Sequence, residues 1–200
     1  LNWPYGGEID GYLKRRCELE ESRVTDAQWS GSSTAYLGSG QGDAWGKEAA
    51  DQGRTGSQRI LKAGPTTSSR EVAQRLGLPE GANVVERERL ILLDGNPVEL
   101  AISYWPAIWA EETALARPGK IRGGAVSLLA DLGYTPGRVD EDVAARPPTG
   151  WESEALALTA GEWVLSMIRT IAAPEGRPYE VSVMVSPGRI GRLHYSMKVD

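Results

Sequence analysis

Arg87 and Arg89 stand two residues apart in the run Val84-Val85-Glu86-Arg87-Glu88-Arg89. In an extended chain, side chains two apart project from one face. Both guanidinium groups would then form a fork for a carboxylate or phosphate. The same pattern also suits a solvated sheet face on which each arginine pairs with a neighbouring carboxylate. Glu180, in a second extended run, is placed to orient a ligand amine or hydroxyl; Glu99 holds the corresponding position in the first half of the chain, so a structural role fits it equally. Gly123 and Gly124 precede a helical stretch, where free backbone N–H groups attract anions, and Lys120 or Arg122 would add charge. A loop meeting a helix start accounts for the same two glycines without any ligand.

Other chemistries find no support in the residue types. His194 is the only histidine and alternates with Leu193 and Tyr195, on what should be the polar face of a terminal strand. With no second histidine and a lone Cys17, neither a zinc site nor a Ser-His-Asp triad can be assembled on it. No catalytic constellation, metal site or cofactor motif is therefore expected. Cys17 can close no intrachain disulfide, which agrees with a reducing compartment, and its simplest role is that of a small buried hydrophobe. Trp105, Trp109, Trp151 and Trp163 could line an aromatic pocket, but in a chain without phenylalanine they are expected to supply core bulk.

Composition bounds the partners. The 200 residues carry 27 acidic and 22 basic side chains, a formal charge of −5, where a free-standing nucleic-acid binder shows a basic surplus. The segment Ser69 to Leu78 looks like the first helix and turn of a helix-turn-helix, yet Pro79-Glu80-Gly81 leads into an alternating strand and not into a recognition helix. Apolar runs such as Leu90 to Leu93 are far too short to span a bilayer, and the N-terminus lacks the basic and apolar regions of a signal peptide. A soluble, cytoplasmic protein with no membrane partner is expected. The chain begins at Leu1 and its first methionine is Met167, so further sequence upstream is also expected.

These side chains must be held by the surrounding elements. Ile9, Leu13 and Cys17 have the spacing of one short helix within residues 11–23, and glycines and serines over 30–42 read as a linker. Residues 1–42 are thus an N-terminal segment, partly flexible, ahead of a domain at 43–200. Asp43 suits the cap of a helix reaching Gln52, and Gln58 to Ala63 a short strand. Ser68 and Glu71 have capping-box spacing, with Gly77 to stop the helix. Asn83 to Leu93, the Asp94-Gly95 turn and Pro97 to Trp105 form a hairpin. Then follow a helix at Gly124 to Leu132, a strand at Arg138 to Arg146, a helix capped by Thr149 and Glu152, a second hairpin from Trp163 to Ser186, and a last strand from Arg192 to Val199.

The plan repeats. Leu78, Gly81, Val84 and Arg89 recur 80 positions later as Leu158, Gly161, Val164 and Arg169, and Gly95, Pro97, Glu99 and Pro106 recur 81 later as Gly176, Pro178, Glu180 and Pro187. Neither hairpin can bury a face alone, so the two are expected to join in one antiparallel sheet with helices on one side. The expected class is α+β, internally duplicated, with a ligand cleft between related halves.

Together, the Val84 to Arg89 run, the Asp94-Gly95-Asn96-Pro97 turn, the Tyr104-Trp105-Pro106 ending and Gly176-Arg177-Pro178-Tyr179-Glu180 resemble the UTRA effector domain of HutC-branch GntR regulators. Lys120 to Gly124 resembles a subgroup that includes plasmid-transfer repressors. The resemblance covers about 43–199 and implies a chorismate lyase-like fold. It also implies a small-molecule effector, with contacts at the Arg-x-Arg pair, a homodimer, and DNA binding only through a winged helix-turn-helix that is absent from this chain. The family's acidic residue before the strand end is replaced by Ala101 and Ile102, and its Ser-x-Tyr before the central helix by Gly124 and Val126. The same fold hosts chorismate lyase, in which arginine and glutamate hold an aromatic dicarboxylate. The alternative is therefore an enzyme acting on a small anion.

Overall fold

The computed structural model describes residues 29–31 and 44–193. The helix expected within 11–23, most of the 30–42 linker, Asp43, His194 and the last strand beyond Leu193 lie outside the described residues. The elements are β1 (Trp29–Gly31), α1 (Ala44–Asp51), β2 (Gly56–Thr67), α2 (Arg70–Leu76), β3 (Asn83–Leu93), β4 (Asn96–Pro106), α3 (Ala107–Ala110), α4 (Gly124–Asp131), β5 (Arg138–Arg146), α5 (Gly150–Ala155), β6 (Val164–Ala172), β7 (Pro178–Pro187) and β8 (Gly191–Leu193), with a 3-10 turn at Ala114–Ala116.

Six strands form one antiparallel sheet in the order β2-β3-β4-β7-β6-β5. Each half contributes strand, helix and hairpin, and the halves meet where β4 pairs with β7. Ile102 lies opposite Val183 there, its own image 81 positions on, so the pseudo-two-fold axis passes through that pair. The first hairpin turns on Asp94 and Gly95, both at positive φ (51° and 80°), the conformation a two-residue turn needs to match strand twist. A short parallel pairing of β1 with β8 stands apart from the main sheet; β8 holds the start of the strand expected from Arg192, whereas β1 matches no element expected from the sequence.

Strand alternation divides the core. Val84 packs with Val72 and Leu76 of α2 and with Val181, while Leu156, the residue that ends α5, packs with Leu90, Leu100, Val164 and Val185. The two duplicated helices therefore cover the same face, as expected. Val85, one residue on from Val84 and so on the opposite face, packs with Trp105, Ala110, Leu115, Leu129, Ile171 and Tyr179. The unduplicated stretch from α3 to α4 thus builds a second layer that the one-sided expectation did not include.

Local signals hold at most ends. Thr149 and Glu152 make both bonds of a capping box for α5, and Gly77 ends α2 in the left-handed region at φ 67°. At α2 the cap is Ser69 and not Ser68: its hydroxyl accepts from the Val72 N–H at 3.3 Å, while Ser68 donates its N–H to the Ala82 carbonyl and is buried. Serine occupies both positions, so spacing alone could not separate them. Trp105 is buried as expected, but Trp151 and Trp163 are half exposed, and the Trp151 indole donates to Glu88.

Candidate functional site

Register assembles a polar row on the sheet face beneath α3 and α4. Arg87 lies opposite Ser103, Ser103 opposite Ser182, Ser182 opposite Arg169, and Arg169 opposite Glu141, so the row crosses five strands. Arg89, Glu99, Trp105 and Glu180 share this face, being an even number of residues from its members.

The side chains are linked in one direction. Arg89 Nη2 donates to Ser103 Oγ at 3.2 Å, Ser103 and Ser182 share a hydrogen bond of 2.8 Å, and Ser182 donates to Glu180 Oε1 at 2.9 Å. Glu180 Oε2 accepts from the Trp105 indole at 2.9 Å. Arg169 Nε donates to Glu141 at 2.8 Å within a pair only about a tenth exposed. Arg89 Nε, in contrast, is sealed from solvent with no hydrogen-bond partner. Such a donor carries the cost of desolvation without compensation. Burial depresses the Arg89 guanidinium, opposed by the charges of Glu180 and Glu99 and reinforced by Arg169.

Arg87 is differently engaged. It is 3% exposed, and its guanidinium donates to the carbonyls of Leu115 at 3.4 Å, Arg117 at 2.8 Å and Gly119. Those three acceptors alternate along the 3-10 turn and the loop that follows it. Arg87 therefore ties the overlying layer to the sheet, while Arg89, on the same face, bonds to Ser103 in the polar row and leaves its Nε without a partner. The two arginines share a face as the alternation predicts, but they do not act as one fork.

Lys120 follows the clamped Gly119 and is exposed. Gly123 and Gly124 both have positive φ (77° and 81°), and Gly123 serves as the cap of α4 without a side-chain bond. The Gly124 N–H already donates to the Ile121 carbonyl at 3.0 Å. Of the tryptophans considered for an aromatic pocket, Trp109 stacks on Tyr134 at 4.2 Å, and Tyr134, which the sequence reading does not single out, tilts against Tyr179 at 5.3 Å. Burial, aided by Glu180, pushes the Tyr179 hydroxyl up to about 12.

In the sequence Glu99 stands out only as the counterpart of Glu180. It is 7% exposed, and burial pushes its carboxyl up to about 7 against the pull of Arg89, Arg169 and a Ser186 hydrogen bond. Ser103, Ser182, Arg169 and Glu141 were likewise not picked out as site residues. The alternation of each strand places them on this face, but only the pairing of β4 with β7 brings them together.

The fold is thus a duplicated α+β sheet that holds a buried, partly unsatisfied charge cluster under a separate layer. The chain belongs to the UTRA domain family, which it matches over residues 51–190. An HTH-type transcriptional regulator of Streptomyces coelicolor, itself uncharacterized, is 36% identical over 135 residues, covering 66% of this chain and 50% of that protein. The chain thus spans half the length of that relative. The crystal structure of the effector domain of PhnF from Mycobacterium smegmatis superposes with a TM-score of 0.67 at 19% identity, covering 80% of this chain and 97% of the other. A GntR-family transcriptional regulator from Bacillus cereus gives 0.60 at 16% identity, covering 72% and 99%. At these identities the two structures speak to the fold alone.

Proposed function

We propose that this domain senses a small anionic metabolite in the cleft between the polar row and the α3–α4 layer, and binds it without turnover. Occupancy would bias the arrangement of a homodimer and so the hold of a winged helix-turn-helix, elsewhere in the whole protein, on its operator. Arg89 is the main charged contact, Glu180 orients the ligand, and Lys120 with Gly123 and Gly124 lies at the rim. The observation that carries this reading is the sealed, unpartnered Nε of Arg89.

Binding is favoured over catalysis because both oxygens of Glu180 already accept from Trp105 and Ser182, which leaves it oriented but engaged. A metabolite screen by melting-temperature shift, followed by calorimetry, tests the site. Arg89→Ala should weaken a hit by about 1–3 kcal/mol, as expected for a charge-assisted hydrogen bond. Undiminished affinity in that variant would place the ligand elsewhere, and consumption of chorismate by the purified chain would overturn the non-enzymatic reading.

A further inference from the structure

The pseudo-two-fold axis allows each polar group to be compared with its own image. Glu180 accepts from Trp105 and from Ser182. The images of those donors around Glu99 are Ser186 and Ala101. Ser186 still bonds to Glu99, but Ala101 has nothing to donate. Glu99 is therefore a buried carboxyl with one of its two intramolecular donors deleted, and with a serine where the other half carries an indole. Among the described residues no ion pair closes on it within 4 Å.

Arg89 shows the converse deficit. Its image, Arg169, has Nε bonded to Glu141, whereas Arg89 Nε is orphaned. Arg89 lies opposite Ala101, and Glu99 is two residues from Ala101 on the same face. Diagonal neighbours of this kind sit about 7–8 Å apart at their backbones, within reach of both long side chains. An orphaned donor and a buried carboxyl with fewer donors than its image therefore stand on neighbouring strands, where the duplicated half has both filled.

We propose that Glu99 contacts the ligand, and that the ligand is a small acid of the amino-acid or hydroxy-acid class, presenting a carboxylate to Arg89 and an ammonium or hydroxyl donor to Glu99. This rests on the cleft assigned above and specifies what occupies it. A simple anion would satisfy Arg89 but bring Glu99 no donor in place of the one that its image receives from Ser182. Burial raises the proton affinity of Glu99 against the pull of Arg89, Arg169 and Ser186, so a further donor has a carboxyl to stabilise there.

The probes are the standard L-amino acids and their α-hydroxy analogues, each compared with the carboxylate lacking the amine or hydroxyl, such as propionate beside alanine and lactate. Melting-temperature shifts at millimolar concentration select binders, and calorimetry then measures Kd in the wild-type chain and in the Glu99→Met, Glu99→Gln and Arg89→Gln variants. The expected result is that a donor-bearing acid binds, that Glu99→Met weakens it about tenfold or more, equivalent to about 1.4 kcal/mol, and that the donor-less counterpart is insensitive to Glu99. Glu99→Gln should melt no lower than wild type at pH 8, since it removes a buried ionisable group. Arg89→Gln should weaken both probes. If Arg89→Gln weakens binding while both Glu99 variants match wild type, the cleft stands and Glu99 is not part of it. If none of the three variants alters affinity, the cleft itself is misassigned, and if no member of the panel binds, the ligand class is wrong.

Discussion

The guanidinium of Arg87 donates to the backbone carbonyl of Arg117 at 2.8 Å, thirty residues along the chain, and bonds as well to the carbonyls of Leu115 and Gly119. Removing it leaves the buried Leu115 carbonyl and the part-buried carbonyls of Arg117 and Gly119 without this donor and releases the layer above the polar row. Arg87→Ala is expected to destabilise the unliganded domain by about 3 kcal/mol, whereas Arg89→Ala, which deletes one bond to Ser103 and an orphaned donor, should change stability by less than about 1 kcal/mol. Urea unfolding of the two variants without ligand checks this, and equal losses would contradict the division of roles.

Glu99 should give the domain an unusual pH response. Its carboxyl sits near 7 when folded, against an ordinary value of 4.5. Between those values the native state holds a proton that the unfolded state has released, so stability falls as pH rises through the window. The difference in unfolding free energy between wild type and Glu99→Gln should shift against wild type by up to about 3 kcal/mol from pH 5 to pH 8. Parallel curves for the two proteins would show that Glu99 ionises normally.

Glu152 has the opposite sign. Arg146 grips it through two bonds of 2.7 Å, and the Thr149 N–H donates to it at 2.8 Å. Chiefly through Arg146, its carboxyl is held below the ordinary value of 4.5. Its contribution is present above 4.5 and is lost as pH falls through the lower folded value. Glu152→Gln should cost about 2 kcal/mol at neutral pH, and Thr149→Ala about 1 kcal/mol through the cap alone. Thermal melts at pH 7 and pH 3 should show the Glu152→Gln deficit shrinking in acid.

The chain should be a homodimer in solution at micromolar concentration. Light scattering that found only a 21.6 kDa species would contradict this.

The sequence made the repeat unit legible because its signals are local: glycines at positive φ, a capping box at Thr149, and alternation through each hairpin. What alternation cannot supply is register between strands remote in sequence. Ser103 and Ser182 are unremarkable serines until β4 and β7 place them 2.8 Å apart. The contrast between Arg87 and Arg89 was likewise hidden, since it depends on where the loop at 115–119 folds back and not on the strand that carries both arginines. Trp151 and Trp163 misled because residue type predicts burial only on average.

The junction of the two halves has a mechanical corollary. Five residue pairs join β4 to β7, against ten between β3 and β4 and nine between β6 and β7. Two stiff plates meeting along a narrow seam rotate most easily about that seam. With strands about 4.8 Å apart, the outer strands lie roughly 12 Å from it, so a twist of about 5° displaces each by about 1 Å. Arg89 and Glu180 stand on opposite sides of this line and are bridged by a pair of serine hydroxyls. A molecule held by both would act as a cross-stitch, fixing the angle between the plates and carrying a change of a few atoms' width out to the sheet's edges.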